Sequence, residues 1–359
     1  MGRKWKLGVL GLGEGRSIIS AALASEQWEL ANICDLNETL CHERMREFGL
    51  TRYTLSYEEM LEDPDVDVIG IYTPDQLHAR HIMMALAAGK HVIITKPLMV
   101  SLDQAQELLD AQRDAGKYVM VGQSSRYYEA TMRQRRDYEA GKHGELITVE
   151  TRYTSDSRWF LKKAWSHQKG FSWQYNFLIH ALDLAVWYLP EAEEVYAAGV
   201  VSQNSLEYGI HCPDSIKVLM RDTIGRTASV MGCYASPSFR NPIESMISCT
   251  VRGTKGISRG GSELKYYSKF DSEGSEMKVE DFSSMKSYYD RFGNGTHHAG
   301  EYQNYINYFA DCLDAGRTPM PDVCEGIRTL AVMEAVQRSM DTHTVVRVSE
   351  ILKERGLKV

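Results

Sequence analysis

Hydrophobic positions along the first third of the chain fall into short continuous runs separated by segments of helical spacing. Lys6–Leu10, Glu29–Cys34, Val66–Tyr72, His91–Thr95 and Tyr118–Val121 are largely apolar and rich in β-branched residues, as strands buried on both faces require. Between them, Ser17–Ser25, Asn37–Glu47, Leu77–Ala88 and Ser101–Ala115 repeat apolar residues at three- and four-residue intervals. This alternation predicts a parallel sheet with crossover helices on both faces, a doubly wound α/β domain over residues 1–123.

After a helix near Tyr128–Glu139 the pattern changes to longer runs in which apolar and polar residues tend to alternate. Leu146–Thr154, Val195–Val201, Asp214–Arg221, Thr227–Tyr234, Met246–Arg252 and Leu264–Tyr267 read as strands, interrupted by one apolar helix at Tyr175–Leu189. Helical spacing returns at Glu301–Ala315 and Cys324–Met340. The expectation is a C-terminal α+β domain over residues 124–359 with a large, mostly antiparallel open sheet. Val200, Val218, Met220, Val230 and Ile247 are assigned to its open face, where they would make a homodimer or homotetramer contact.

Composition narrows the partners. With 41 Lys and Arg against 48 Asp and Glu, the net charge is −7, and the basic residues are scattered apart from Arg133, Arg135 and Arg136. No nucleic-acid surface is expected. The longest apolar runs are strand-length, far short of the ~20 residues of a membrane span. A strand begins by Trp5 and leaves no room for a signal peptide, while the seven cysteines show no zinc-ligand spacing. Together these point to a soluble, cytoplasmic protein with no structural metal.

The first candidate chemistry follows the first strand. In Gly11-Leu12-Gly13-Glu14-Gly15-Arg16-Ser17 the glycines permit a tight turn and let backbone N–H groups approach a pyrophosphate at a helix start. The third glycine of the G-x-G-x-x-G pattern belongs at residue 16, where Arg16 stands, while Gly15 comes one place early. Asp35 ends the second strand about 20 residues on, where a carboxylate accepts both adenosine ribose hydroxyls and repels a 2′-phosphate. A Rossmann domain binding NAD in preference to NADP is the result, although Arg16 or Arg44 could relax the choice. Asp35 as a plain helix N-cap remains the competing reading.

Lys96 follows the fourth strand and precedes Pro97, at the sheet edge where ligands bind. It is suited to hold a substrate hydroxyl, or else simply extends to solvent. On the apolar helix, Asn176, His180 and Asp183 stand at i, i+4 and i+7, a line that grips a polyol or forms an ordinary solvated face. Histidine also suits general-base work near neutral pH.

These residues resemble the Gfo/Idh/MocA family of sugar and cyclitol oxidoreductases. The similarity is carried by Thr73-Pro74-Asp75-Gln76-Leu77-His78, by Ala85-Leu86-Ala87-Ala88-Gly89-Lys90-His91-Val92 and by Thr95-Lys96-Pro97. Gly141-Lys142-His143-Gly144-Glu145-Leu146 and His180-Ala181-Leu182-Asp183 extend it into the second domain. The resemblance implies that Lys96 and His180 are the acid/base and substrate-orienting pair, with Asp183, Asn176 and Trp165 toward substrate. Thr73, Pro74, His78 and Gln123 would line the cofactor crevice. Three positions depart from the family pattern: Thr95 replaces Glu, Asn176 replaces Asp, and Ser166 replaces an Arg after Trp165. An amide neither takes up a proton nor holds a negative charge, so His298 enters as a substitute partner. The implied activity is hydride exchange between NAD and a hydroxyl-bearing carbon of a sugar, sugar derivative or inositol. Redox-neutral glycoside cleavage and a non-catalytic sugar or NAD sensor are the alternatives.

Overall fold

The computed structural model describes residues 3–168, 170–239, 243–285 and 300–359, and the chain divides into two compact units. Described residues within Met1–Tyr127, Ser284–Ile327 and Val359 form the first, and those within Tyr128–Ser283 and Arg328–Lys358 the second.

In the first unit, strands β1 (Trp5–Leu10), β2 (Trp28–Cys34), β3 (Val68–Ile71), β4 (His91–Thr95) and β5 (Val119–Gly122) are all parallel in the order β2-β1-β3-β4-β5. Neighbouring residues such as Val92, Ile93 and Ile94 are all buried, as the continuous apolar runs predict for a sheet covered on both faces. The winding reverses between β1 and β3, so the loop after β1 opens at the topological switch point. Helices α1 (Arg16–Ala24), α2 (Glu38–Phe48), α3 (Tyr57–Glu62), α4 (His78–Ala87) and α5 (Ala105–Ala115) make the connections.

The compact units do not follow the chain order of the two expected domains at every element. Helix Glu301–Asp314, expected in the second domain, belongs to the first unit. Its stripe of Tyr302, Tyr305, Ile306, Phe309, Ala310 and Leu313 is buried, the Trp28 indole donates to the Ile306 carbonyl at 2.9 Å, and Trp28 stacks on Phe309. The periodicity shows that this helix has a buried face. It does not say which sheet that face covers.

The second unit is a nine-stranded sheet. Strands β6 (Leu146–Thr154), β7 (Ala192–Val200), β8 (Ser215–Asp222), β9 (Thr227–Cys233), β10 (Ile247–Gly253), β11 (Gly256–Gly261), β12 (Lys265–Phe270), β13 (Lys278–Asp281) and β14 (Val346–Arg347) lie in the order β13-β12-β11-β10-β6-β9-β8-β7-β14. Among the described residues of this sheet, only β6 and β9 pair in parallel. Here the expected open face has the wrong parity: Val218, Met220, Val230 and Ile247 are buried. Tyr196, Val200, Leu219, Met231 and Ile147 are among the exposed apolar residues of these strands. Because strand side chains alternate faces, the more apolar set folds inward and its neighbours remain outside.

Buried and half-buried histidines, His81, His91 and His143 among them, make stability depend on pH. Burial lowers the pKa of His81, His91 and His143 to about 4. Between about 6.5 and about 4 the unfolded chain takes up protons that the folded chain refuses, so stability should fall through that window and level off above it. Urea midpoints measured at steps from pH 7 to 5 check this. His143→Gln should flatten the dependence, and a midpoint indifferent to pH would refute the assignment.

Candidate active site

The three glycines after β1 have three different tasks. Gly11 sits at φ +86, and a Cβ there would lie 2.5 Å from the Tyr72 carbonyl oxygen, so the turn requires glycine. A Cβ on Gly15 would come within 2.1 Å of the Gly11 carbonyl oxygen and 2.9 Å of Val9 Cγ1. Gly15 therefore does the close packing expected of residue 16. Gly13 is exposed with no atom within 4 Å of its would-be Cβ, which leaves the backbone open to a ligand. Helix α1 then starts with neither a side-chain cap nor an acidic residue in its first turn, a favourable end for a phosphate. Glu14 is exposed and Ser17 half-buried, its N–H donating to the Glu14 carbonyl at 3.0 Å.

Arg16 is committed elsewhere. Its guanidinium pairs with Glu47 of α2, which also holds Arg44 at 2.9 Å, while Arg44 Nε donates to the Leu12 carbonyl at 3.0 Å. Asp35 accepts the Leu12 N–H at 2.8 Å on one carboxylate oxygen and the Asn37 N–H at 2.9 Å on the other. The cap of α2 is Asn37, whose side chain accepts the Leu40 N–H, so the N-cap reading of Asp35 falls away. Each Asp35 oxygen keeps a second lone pair. At the end of β5, Gln123 is buried and its side-chain oxygen has no hydrogen-bond partner among the described residues. Open glycine, uncapped helix start, tethered carboxylate and orphan amide fit a dinucleotide.

Lys96 leaves β4 half-buried, at the carboxyl edge of the sheet that also carries the glycine loop. Burial pulls its amine below the ordinary lysine pKa, with the charges of Asp75 and Glu14 opposing in part. Behind it, His78 is fully buried, with Nδ1 2.6 Å from the Pro97 carbonyl and Nε2 2.9 Å from the Thr73 carbonyl. Desolvation lowers its pKa, and the Lys96 charge adds to this. The imidazole thus braces the loops after β3 and β4 rather than offering a polar atom to the crevice, as its sequence position suggested. Thr73 is half-buried, its hydroxyl 2.9 Å from His81 Nδ1, and Pro74 is exposed.

In the second unit, a π-helical turn at Gln174–Leu178 runs into helix Ile179–Tyr188. Such turns recur at functional sites. Asn176 is nearly buried, and its side-chain oxygen accepts the Ser172 N–H at 3.3 Å. That bond ties Asn176 back to the residue just before the turn. His180 is half-buried and meets Tyr153 edge to face at 5.8 Å. Asp183 is 1% exposed and accepts from the Thr329 hydroxyl at 3.4 Å, so it belongs to the packed interior rather than to an exposed polar face. Trp165 is partly exposed in an aromatic cluster, 5.1 Å from Phe160 and 5.7 Å from Phe171. His298 lies outside the described residues. Tyr153 escaped the sequence reading, although its place beside the end of an expected strand was the available signal.

Residues 5–123 match the family model described as "Oxidoreductase family, NAD-binding Rossmann fold", and residues 138–348 match the corresponding C-terminal alpha/beta domain. Among curated proteins, levoglucosan dehydrogenase of Pseudarthrobacter phenanthrenivorans is 27% identical over 52% of this chain and 50% of its own length. Alpha-N-acetylgalactosaminidase of Shewanella oneidensis is 27% identical over 47% of this chain and 39% of its own. The chain thus spans half or less of the curated relatives it matches. A solved levoglucosan dehydrogenase in complex with NADH superposes with a TM-score of 0.83 at 21% identity, over 96% of this chain and 99% of that one. With both family models matched in order along most of its length, the chain belongs to the Gfo/Idh/MocA family of oxidoreductases.

Proposed function

We propose that the chain moves hydride between NAD and a hydroxyl-bearing carbon of a sugar, sugar derivative or inositol. The observation that carries this reading is Lys96, a half-buried amine with depressed pKa at the sheet edge that bears the glycine loop. NAD, when bound, supplies the hydride acceptor. Lys96 is read as the group that holds a substrate hydroxyl and the negative charge that develops there, and His180 as a proton acceptor. Asn176, whose side-chain oxygen accepts the Ser172 N–H, is read as a substrate-facing residue of the same segment as His180. Asp183 steadies the helix from below.

Steady NADH production from NAD with a panel of free monosaccharides and inositols tests the reading. Glycoside cleavage with no net NADH would instead establish the redox-neutral alternative, which the amide at 176 and the likeness to an alpha-N-acetylgalactosaminidase favour.

Asp35 sets the cofactor preference. In Asp35→Ser, NAD affinity should fall on the order of tenfold or more, because ribose contacts and the Leu12 tether are lost together, and discrimination against NADP should narrow. Calorimetric titration with both cofactors decides it, and an unchanged preference would place the selector elsewhere. We also place self-association, as a dimer or tetramer, on the exposed face carrying Tyr196, Leu219 and Met231. Sedimentation at micromolar protein concentration is the check.

A further inference from the structure

One cavity in the second unit, of about 550 Å³, belongs to none of the groups assigned above. Its size falls within the range of roughly 300–1,000 Å³ for small-molecule sites. It lies between the end of β7, the loop carrying His211 and Pro213, and the last turn of helix Val323–Thr342. Phe171, Val201 and Pro213 give it an apolar wall, and His211, His343, Gln337 and Asp341 supply hydrogen-bonding groups. Gln337 donates to one Asp341 carboxylate oxygen at 2.9 Å, which fixes the direction of the other. No lysine or arginine lines the cavity among the described residues. Apolar surface beside planar acceptors, without cationic groups, suits a neutral polyhydroxylated ring better than a phosphate or carboxylate.

The cavity connects to the site through Ser172, which forms part of its wall. Ser172 exchanges two hydrogen bonds with Asn176, donating its N–H to the side chain at 3.3 Å and accepting the Asn176 N–H at 3.0 Å. Asn176 lies in the π-helical turn that leads into the helix carrying His180, so one continuous hydrogen-bonded segment of chain runs from the cavity wall to the imidazole.

We propose that this cavity is a distal subsite for the second ring of a disaccharide or glycoside whose first ring is presented to His180. The inference rests on the reading of His180 as the group that faces the reacting hydroxyl.

Binding can be measured on the NAD-loaded protein by calorimetry, using hexoses and disaccharides built from them, beside NADH formation with each sugar. Wild-type protein should bind at least one disaccharide tenfold or more tightly than its component hexose. Val201→Trp, which fills the cavity, should erase that advantage while leaving hexose affinity within twofold. His211 is exposed, so His211→Ala tests the same point without burdening the fold, and should weaken the disaccharide alone by roughly three- to tenfold, the usual effect of one hydrogen bond. Equal affinity for hexose and disaccharide, parallel loss of both in the variants, or no saccharide binding at all would each overturn the subsite. A binding advantage that obeys the variants without any NADH formation would uphold the subsite and count against the dehydrogenase reading instead.

Discussion

In His180→Ala, turnover should fall on the order of 10²–10⁴-fold, the range associated with removing a positioned general base. The imidazole is half-buried on the helix that follows the π-helical turn, with the Tyr153 ring against it edge to face. Such packing limits ring rotation, which a proton acceptor needs if it is to meet one hydroxyl repeatedly. The effect corresponds to about 3–5.5 kcal/mol of transition-state stabilisation, far beyond what a surface histidine contributes. NAD affinity should hardly change, because the glycine loop and Asp35 belong to the other unit. Tyr153→Phe should leave turnover within a few-fold, since it keeps the ring that restrains the imidazole. Steady-state kinetics with NAD titration on both variants provides the check. Near-normal turnover in His180→Ala would move the proton to another group and leave His180 as a substrate-facing residue.

What the sequence made legible was chemistry tied to local order, and what it hid was chemistry tied to packing. The glycine loop, Asp35 and Lys96 could be found because each follows directly from the end of an apolar strand. The job done by Gly15 could not, because close packing against Val9 and the Gly11 carbonyl is a property of two backbones in space. Strand β11 was missed for a related reason. It carries Gly256, Gly260 and Gly261, which propensity reads as a loop. In the fold, a Cβ at Gly260 would lie 2.7 Å from the Ala130 carbonyl oxygen and one at Gly261 2.1 Å from that of Ile247. Those glycines let a helix and a neighbouring strand approach. His78 and Asp183 show the same limit from the polar side. Motif spacing puts both near the chemistry, yet only the packing reveals that they are buried and serve the residues around them. The parity of the open sheet and the destination of helix Glu301–Asp314 likewise depend on which surface an apolar stripe meets.

Lys96→Met should lower kcat/KM by roughly 10²–10³-fold, as removal of one preorganised donor to a developing oxyanion does elsewhere. The charge on Lys96 is what the proposed role requires, and burial already disfavours that charge. A group that acts while protonated loses activity as pH rises through its pKa. Because this pKa lies below the ordinary lysine value, kcat/KM should show an alkaline limb earlier than an unperturbed lysine would give. Lys96→Arg separates charge from geometry. Arginine stays protonated across the accessible range, so the alkaline limb should vanish even though the bulkier fork lowers the rate at every pH. A neutral Lys96 acting as the base would give the opposite sign, with activity climbing as pH rises through the same pKa. His78 offers the matching control, since it touches the Pro97 carbonyl and not the reacting atoms. In His78→Asn, kcat should fall through misplacement of Lys96 while the alkaline limb persists. An alkaline limb retained unchanged in Lys96→Arg would assign it to another group and remove Lys96 from the alkoxide-holding role.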